Sequence, residues 1–374
     1  MNAQWGISII VVNFNYDRFL AAAIDSALGQ DHPLCEVIVV DDCSTDNSRA
    51  IIAQYENRIR SVFQERNEGQ IVAMNRAWLL ARYPILVFLD ADDILFPNAA
   101  VTVASIWTEK TVKAQFPLET IDEAGRRLGH VSPRYPKELD TATIRAALLR
   151  TGEPPSSPGS GNAYSRSLLQ SLKADGGFDV ENLREHHMDA ILECTAPFYG
   201  EVVTIHDPLA YRRIHRSNLY ATSSLDGARF AMMLQTSRVK LDYMASQYQK
   251  WGIPFDVIAV SNRSPWLLEC RLVMAKLAPA NDRSRASISN ILYHGLKAYI
   301  DDEALRRRRI VRTLWFVSVA LSPRPLASWL IGLRFLVAQR PRWFELLFAK
   351  LTKVKTSAWR DSPSHARDKP VTRL

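Results

Sequence analysis

The chain is 374 residues long, 47% hydrophobic, 23% charged and 9% aromatic, which excludes a disordered or fibrous chain and fits a mixed α/β protein with a substantial core. Its net charge of +8 is unevenly spread: residues 301–374 hold 12 Arg, 4 Lys and 6 acids, a balance of +10, so the first 300 residues stand at −2. The four cysteines, Cys35, Cys43, Cys194 and Cys270, include no C-x-x-C pair, which argues against a disulfide framework or thiolate zinc site and for reduced thiols in a cytoplasmic setting.

The first apolar run, Ile7 to Val12, is too short for a secretory h-region and lacks a basic lead, so the start is expected to be domain. That run predicts a buried strand, and Phe19, Leu20, Ala23, Ile24, Ala27 and Leu28 fall at helical spacing. Glu36–Val40 predicts a second strand, with Ser44-Thr45-Asp46-Asn47 turning into a helix through Tyr55. Arg60–Gln64 reads as a more exposed strand, Gly69–Arg82 as a helix and Ile85–Leu89 as another buried strand. Such alternation predicts a doubly wound, mostly parallel sheet, with ligands beyond the carboxyl ends of its strands. Next, Thr111–Leu118 with the Asp122-Glu123-Ala124-Gly125 turn predicts a hairpin, and Glu153–Gly161 a loop. Helical signals dominate from about residue 225, and residues 361–374 read as a frayed polar end.

Acidic residues follow the apolar strands: Asp41-Asp42 after Val40, and Asp90-Ala91-Asp92-Asp93 after Leu89. Asp90, Asp92 and Asp93 are hard oxygen ligands at close spacing, suited to Mg²⁺ or Mn²⁺ rather than zinc. The plain alternatives are that Asp93 caps a helix begun at Ile94–Pro97, and that Asp41-Asp42 is turn chemistry.

Taken together, Ile7–Asn15, Glu36–Asp46, Asn67-Glu68-Gly69-Gln70 with Ala73 and Asn75, and Phe88–Asp93 resemble the family-2 glycosyltransferases of the GT-A fold, in family order and near family spacing. Beyond residue 100, Gly177-Phe178-Asp179, Asp189 with Ala196-Pro197 and Gly200, and Arg213–Asn218 resemble that family's acceptor half. The resemblance implies a GT-A, Rossmann-like α/β domain and a hexosyltransferase moving a sugar from a nucleotide diphosphate, UDP by expectation, to a hydroxyl acceptor with inversion. Val12, Phe14, Asn15 and Asp42 would hold the base. Asn67, Gln70 and Asn75 belong to the donor-binding set, Asp90 and Asp92 face the ribose and diphosphate, and Asp92 and Asp93 take the metal. Arg213 and His215 would reach the diphosphate from a closing loop, and Asp189 falls where the family's general base lies; the plain alternatives are satisfied structural polar groups at Arg213 and His215 and a solvated helix carboxylate at Asp189. Two positions depart from the family pattern: Cys43 stands where glycine is usual, and His187 where an acid is usual.

Other classes remain open at this point. A nucleotidyltransferase would carry a glycine-rich phosphate loop after its first strand, and Asn13–Asp17 has no glycine. An aspartyl phosphatase would place its D-x-D at the first strand, and a non-catalytic membrane scaffold needs no acids.

The expected organisation is a donor half over 1–105, an acceptor half over 106–220, a helical extension over 221–300 and a basic amphipathic tail over 301–374. Only eleven uncharged residues separate Arg312 from Arg324, and nine separate Arg324 from Arg334, short of the roughly 18–20 a spanning helix needs. Leu314, Trp315, Phe316 and Val319, then Leu326, Trp329, Leu330, Leu333 and Phe335, instead predict two helices lying in a membrane interface, separated by Pro323 and Pro325. The tail's partner is then an anionic membrane at its cytoplasmic face rather than nucleic acid, and the acceptor is lipid-linked. The alternative is that these residues pack on the catalytic domain as an ordinary helical cap.

Overall fold

The computed structural model describes residues 5–178, 183, 187–215, 218, 225, 227–277, 287–301 and 309–336. Asp179, His186, Arg216, Ser217, the arginines Arg306, Arg307 and Arg308, and the tail beyond residue 336 lie outside the described residues.

The first hundred residues alternate as their apolar spacing predicts: β1 (Ile7–Asn13), α1 (Asp17–Leu28), β2 (Cys35–Asp41), α2 (Ser48–Ala53), β3 (Arg60–Phe63), α3 (Gln70–Leu79) and β4 (Ile85–Asp90). β1, β2 and β4 are runs of Val, Ile and Leu buried almost throughout because helices cover both faces of a parallel sheet. The register sets Asn13 opposite Asp41 and Val12 opposite Asp90. Hydrophobic strands of matched length therefore deliver their polar ends to one rim.

Beyond β4 come β5 (Ile94–Leu95), α4 (Ala99–Ile106), β6 (Thr111–Gln115), β7 (Leu118–Ile121), β8 (Arg127–Ser132), α5 (Thr141–Thr151), β9 (Asn162–Ser165), α6 (Arg166–Ala174), α7 (Met188–Tyr199), β10 (Glu201–Thr204) and β11 (Ala210–Arg213). The main sheet has the order β10-β6-β9-β4-β1-β2-β3, parallel except where β9 runs antiparallel between β4 and β6. A second sheet has the order β5-β11-β7-β8.

Two local expectations are corrected. The hairpin joins β7 to β8, closed by Asp122, whose side chain accepts from the Ala124 and Arg126 N–H groups. β6 leaves it to pair with β9 and β10, because its five residues are all buried and fit a two-faced central strand. Asp93 caps no helix: Ile94-Leu95 is strand, and α4 begins after Asn98.

The described residues form two compact units, one of 5–148 and 154–214, the other of 149–153 and those from 215 onward. The second consists mainly of α8 (Gly227–Lys250), α9 (Val257–Ser261), α10 (Pro265–Leu277), α11 (Ile288–Asp301), α12 (Arg309–Leu321) and α13 (Arg324–Phe335). Pro323, at the N-cap of α13, separates the last two helices. Phe316, Val319, Ala320, Ala327, Ile331 and Phe335 enter the core of this unit. Arg312 and Arg334 turn inward to Glu269, which also accepts from the Tyr299 hydroxyl at 2.6 Å. The inward faces thus pack within the helical unit itself, while Ile310, Leu314, Leu321, Leu326 and Trp329 stay exposed. Among the described residues, no helix is long and apolar enough to cross a membrane.

Burial alone would raise the pKa of Glu269, but Arg334, Arg312 and Tyr299 hold it below the usual carboxylate value. Its stabilising contribution is therefore present above the unfolded glutamate pKa and lost as pH falls through the lower folded value. Glu269→Ala leaves two arginines uncompensated and should cost about 3–5 kcal/mol, read as a drop in denaturant midpoint.

Candidate active site

At the end of β4 the chain turns sharply, with the Asp93 N–H donating to the Asp90 carbonyl at 3.0 Å. Ligand oxygens of Asp90, Asp92 and Asp93 lie within 4.8 Å of one another. Burial, then the charges of Asp93 and Asp92, push the Asp90 carboxyl well above its ordinary value; burial, then Asp92, pushes Asp93 up to about 7. Arg212 acts in the opposite sense on both and is the nearby cation the sequence reading missed. Three hard oxygen donors destabilised by their own crowding fit a divalent cation, whose charge removes that repulsion.

Opposite this cluster stands the first turn of α7. Asp90, Asp189, Gln70 and Gly159 line one small cavity of about 20 Å³. Gln70, which opens α3, donates from Nε2 to Asp90 Oδ1 at 3.4 Å, and its Oε1 lies 3.4 Å from His187 Nδ1. His187 is the N-cap residue of α7, and Asp189 follows in the first turn, where the helix dipole favours a carboxylate. Gly159 forms the wall between the two acids: a Cβ there would stand 3.3 Å from Asp90 Oδ2 and 3.7 Å from Asp189 Oδ2. The loop Glu153–Gly161 thus contributes its lack of a side chain.

Behind Asp189 lies a buried polar chain that sequence reasoning also missed. Lys113, 2% exposed on β6, donates to Ser156 Oγ at 2.7 Å and Gln115 Oε1 at 3.2 Å, and Ser156 donates to Glu193 Oε1 at 2.8 Å. Burial lowers the Lys113 pKa to about 8, opposed by Glu193 and Asp189. The only signal in the sequence is a lysine at the centre of a five-residue strand.

The rim beside β1 and β2 is built from backbone held by side chains. Asn13 donates to Asp41 Oδ1 at 2.8 Å and Ser44 Oγ at 3.0 Å, and Asn15 accepts from the Thr45 N–H at 2.8 Å. Asn15 and Cys43 have φ of +59° and +63°. The left-handed backbone at Cys43 is the physical reason a glycine suits that position. Asp42 is buried and accepts from Gln64 and from the Glu68 and Gly69 N–H groups at 2.9 Å, so it fixes the Asn67–Gln70 loop. Asn67 accepts from the Gly69 N–H at 3.1 Å within that loop. Val12 is half-buried and Phe14, 40% exposed, offers its ring at the strand end.

Three further expected site residues are likewise engaged in structure. Asn75 accepts from Trp78 Nε1 at 3.1 Å on α3. Arg213, 2% exposed, donates its backbone N–H to Asp93 Oδ1 at 3.0 Å and its guanidinium to the carbonyls of Asp92, Asp122 and Glu123. It shapes the acidic turn. His215 belongs to the second unit, where its backbone N–H donates to Asn218 Oδ1 at 2.6 Å.

Comparison with known proteins agrees with this geometry. The model described as "Glycosyl transferase family 2" matches residues 8–172. An uncharacterized glycosyltransferase of Nostoc sp. is 34% identical over 227 residues, 58% of this chain and 67% of that protein. A UDP-Glc:alpha-D-GlcNAc-diphosphoundecaprenol beta-1,3-glucosyltransferase of Escherichia coli is 34% identical over 93 residues, 25% of this chain and 37% of that protein. A putative teichuronic acid biosynthesis glycosyltransferase of Bacillus subtilis is 42% identical over 90 residues, 23% of this chain and 36% of its own length. Among solved structures, Staphylococcus aureus TarS 1–349 in complex with UDP-GlcNAc shares the fold, with TM-score 0.51 and 16% identity over 84% of this chain and 90% of that one. The strand-end acids, the GT-A architecture and a relative matched over two thirds of its length agree: the chain belongs to glycosyl transferase family 2 and is a glycosyltransferase.

Proposed function

We propose that this protein transfers a sugar from a nucleotide diphosphate, UDP by preference, to a hydroxyl of a lipid-linked acceptor in cell-surface polysaccharide or glycolipid synthesis. The observation that carries this reading is the packing of Asp90, Asp92 and Asp93 within 4.8 Å, with Asp189 across one small cavity from Asp90. Asp90, Asp92 and Asp93 would hold Mg²⁺ or Mn²⁺, which supplies positive charge against the leaving diphosphate. Phe14 offers a face to the base, and the loops fixed by Asn15 and Asp42 frame it.

Asp189 accepts the proton of the acceptor hydroxyl. The acceptor oxygen bonds to the anomeric carbon while the bond from that carbon to the diphosphate oxygen breaks. One base and one displacement give inversion. Arg212 adds fixed positive charge beside the acids. Gly159 leaves Asp189 and Asp90 open to one space.

Support for the lipid-linked acceptor comes from two sides. The E. coli relative is named for a diphosphoundecaprenol-linked substrate. The exposed Ile310, Leu314 and Leu321 recur on one face of α12, with Trp329 and Leu326 exposed on α13 and Arg324 at its start. An apolar face beside arginine suits the plane of an anionic membrane at its cytoplasmic side.

Three measurements test this. In calorimetric titration, Mn²⁺ should strengthen binding of the sugar nucleotide and Asp93→Ala should abolish that strengthening; equal affinity with metal and with chelator contradicts it. Asp189→Asn should lower kcat by about 10²–10⁴-fold with donor affinity almost unchanged; full turnover would move the base elsewhere. The full-length protein should float with anionic vesicles, less so at high salt, and Leu314→Glu with Trp329→Glu should remove flotation without lowering Tm. Flotation unchanged in that variant would leave α12 and α13 as a cap alone.

A further inference from the structure

The helical unit contains a cavity that none of the strand-end acids lines. It encloses about 430 Å³ between the end of α5, α9 and α11, a size typical of small-ligand sites. Arg150, Asn262, Arg263, His294 and Lys297 line it, over an Ala298 floor. None of its lining residues is a carboxylate.

Helix dipoles account for part of this arrangement. Arg150 lies in the last turn of α5 and Arg263 just beyond the C-cap of α9, where a cation meets helix carbonyls. They do not account for His294 and Lys297, which sit on α11 ahead of its last turn. Nor do they account for the empty space, kept open because α9 and α11 present alanines there. Asn262 has a fixed orientation: its Oδ1 accepts from Arg271 at 3.1 Å, so its amide hydrogens are what it has left to offer a ligand. Two guanidinium forks, an ammonium and an amide donor around one space match a group with several acceptor oxygens and more than one negative charge.

We propose that this cavity is a second anion site, which takes a phosphate or diphosphate group independently of the strand-end acids. Two sources offer that chemistry: a soluble phosphate compound or the headgroup of a phospholipid. Ile258, Tyr293 and Ile300 are each more than 60% exposed on the same two helices, so the test separates the sources.

Inorganic pyrophosphate is titrated calorimetrically into the full-length protein in excess chelator, so that metal-dependent binding at Asp90, Asp92 and Asp93 does not contribute. The expected result is saturable binding, weakened about tenfold or more in the Arg263→Gln/Lys297→Gln double variant, with Tm unchanged. No saturable binding to the wild type, or equal binding to the double variant, overturns the site. Because the acids are silent in chelator, this result is independent of whether the transferase reading holds. Flotation of the double variant on phosphatidylglycerol vesicles then assigns the source. Reduced flotation identifies the headgroup, and unchanged flotation with weakened pyrophosphate binding identifies a soluble phosphate compound.

Discussion

The repulsion among Asp90, Asp92 and Asp93 is the constraint on which the site depends. Three carboxylates so close on a largely buried turn are unfavourable by themselves: burial first, and then the neighbouring charges, raise Asp90 and Asp93. They persist because surrounding structure fixes them: β4 is locked between β1 and β9, Ser160 accepts the Asp90 N–H, and Arg213 ties the turn to the second sheet. Strain of this kind, held by a rigid scaffold, is stored where a charged ligand can release it.

The same logic explains how much was legible in the sequence. The parallel half could be read because its strands are uninterrupted apolar runs and its helices have apolar residues at helical spacing. The acids could be read because they follow those strands directly, and register carries adjacent strand ends to one rim. Gly159, Lys113 and Arg212 could not. Each acts through a neighbour far away in sequence: Gly159 by making room between Asp90 and Asp189, Lys113 through Ser156 to Glu193, Arg212 by its field. Only the packing of β6, β9, β11 and α7 brings them together. The hairpin was misplaced for a similar reason, since buried polar residues such as Lys113 and Gln115 hide a central strand behind the pattern of an exposed one.

The arginines of the C-terminal helices show the limit of reading charge as surface. Arg312 and Arg334 lie among Trp, Phe and Leu in the pattern of an interfacial helix, yet both reach the buried Glu269. Their inward faces stabilise the helical unit, and their outward faces keep an apolar stripe. A buried structural face and an exposed apolar face therefore fall on opposite sides of the same two helices.

The central claim, that the crowded acids form a cation site serving a nucleoside diphosphate, is tested most directly by anomalous scattering from crystals soaked with Mn²⁺ and UDP. A manganese peak in contact with the carboxylates of Asp90, Asp92 and Asp93 and with the diphosphate is the predicted result. Bound UDP with no manganese at these acids would contradict it.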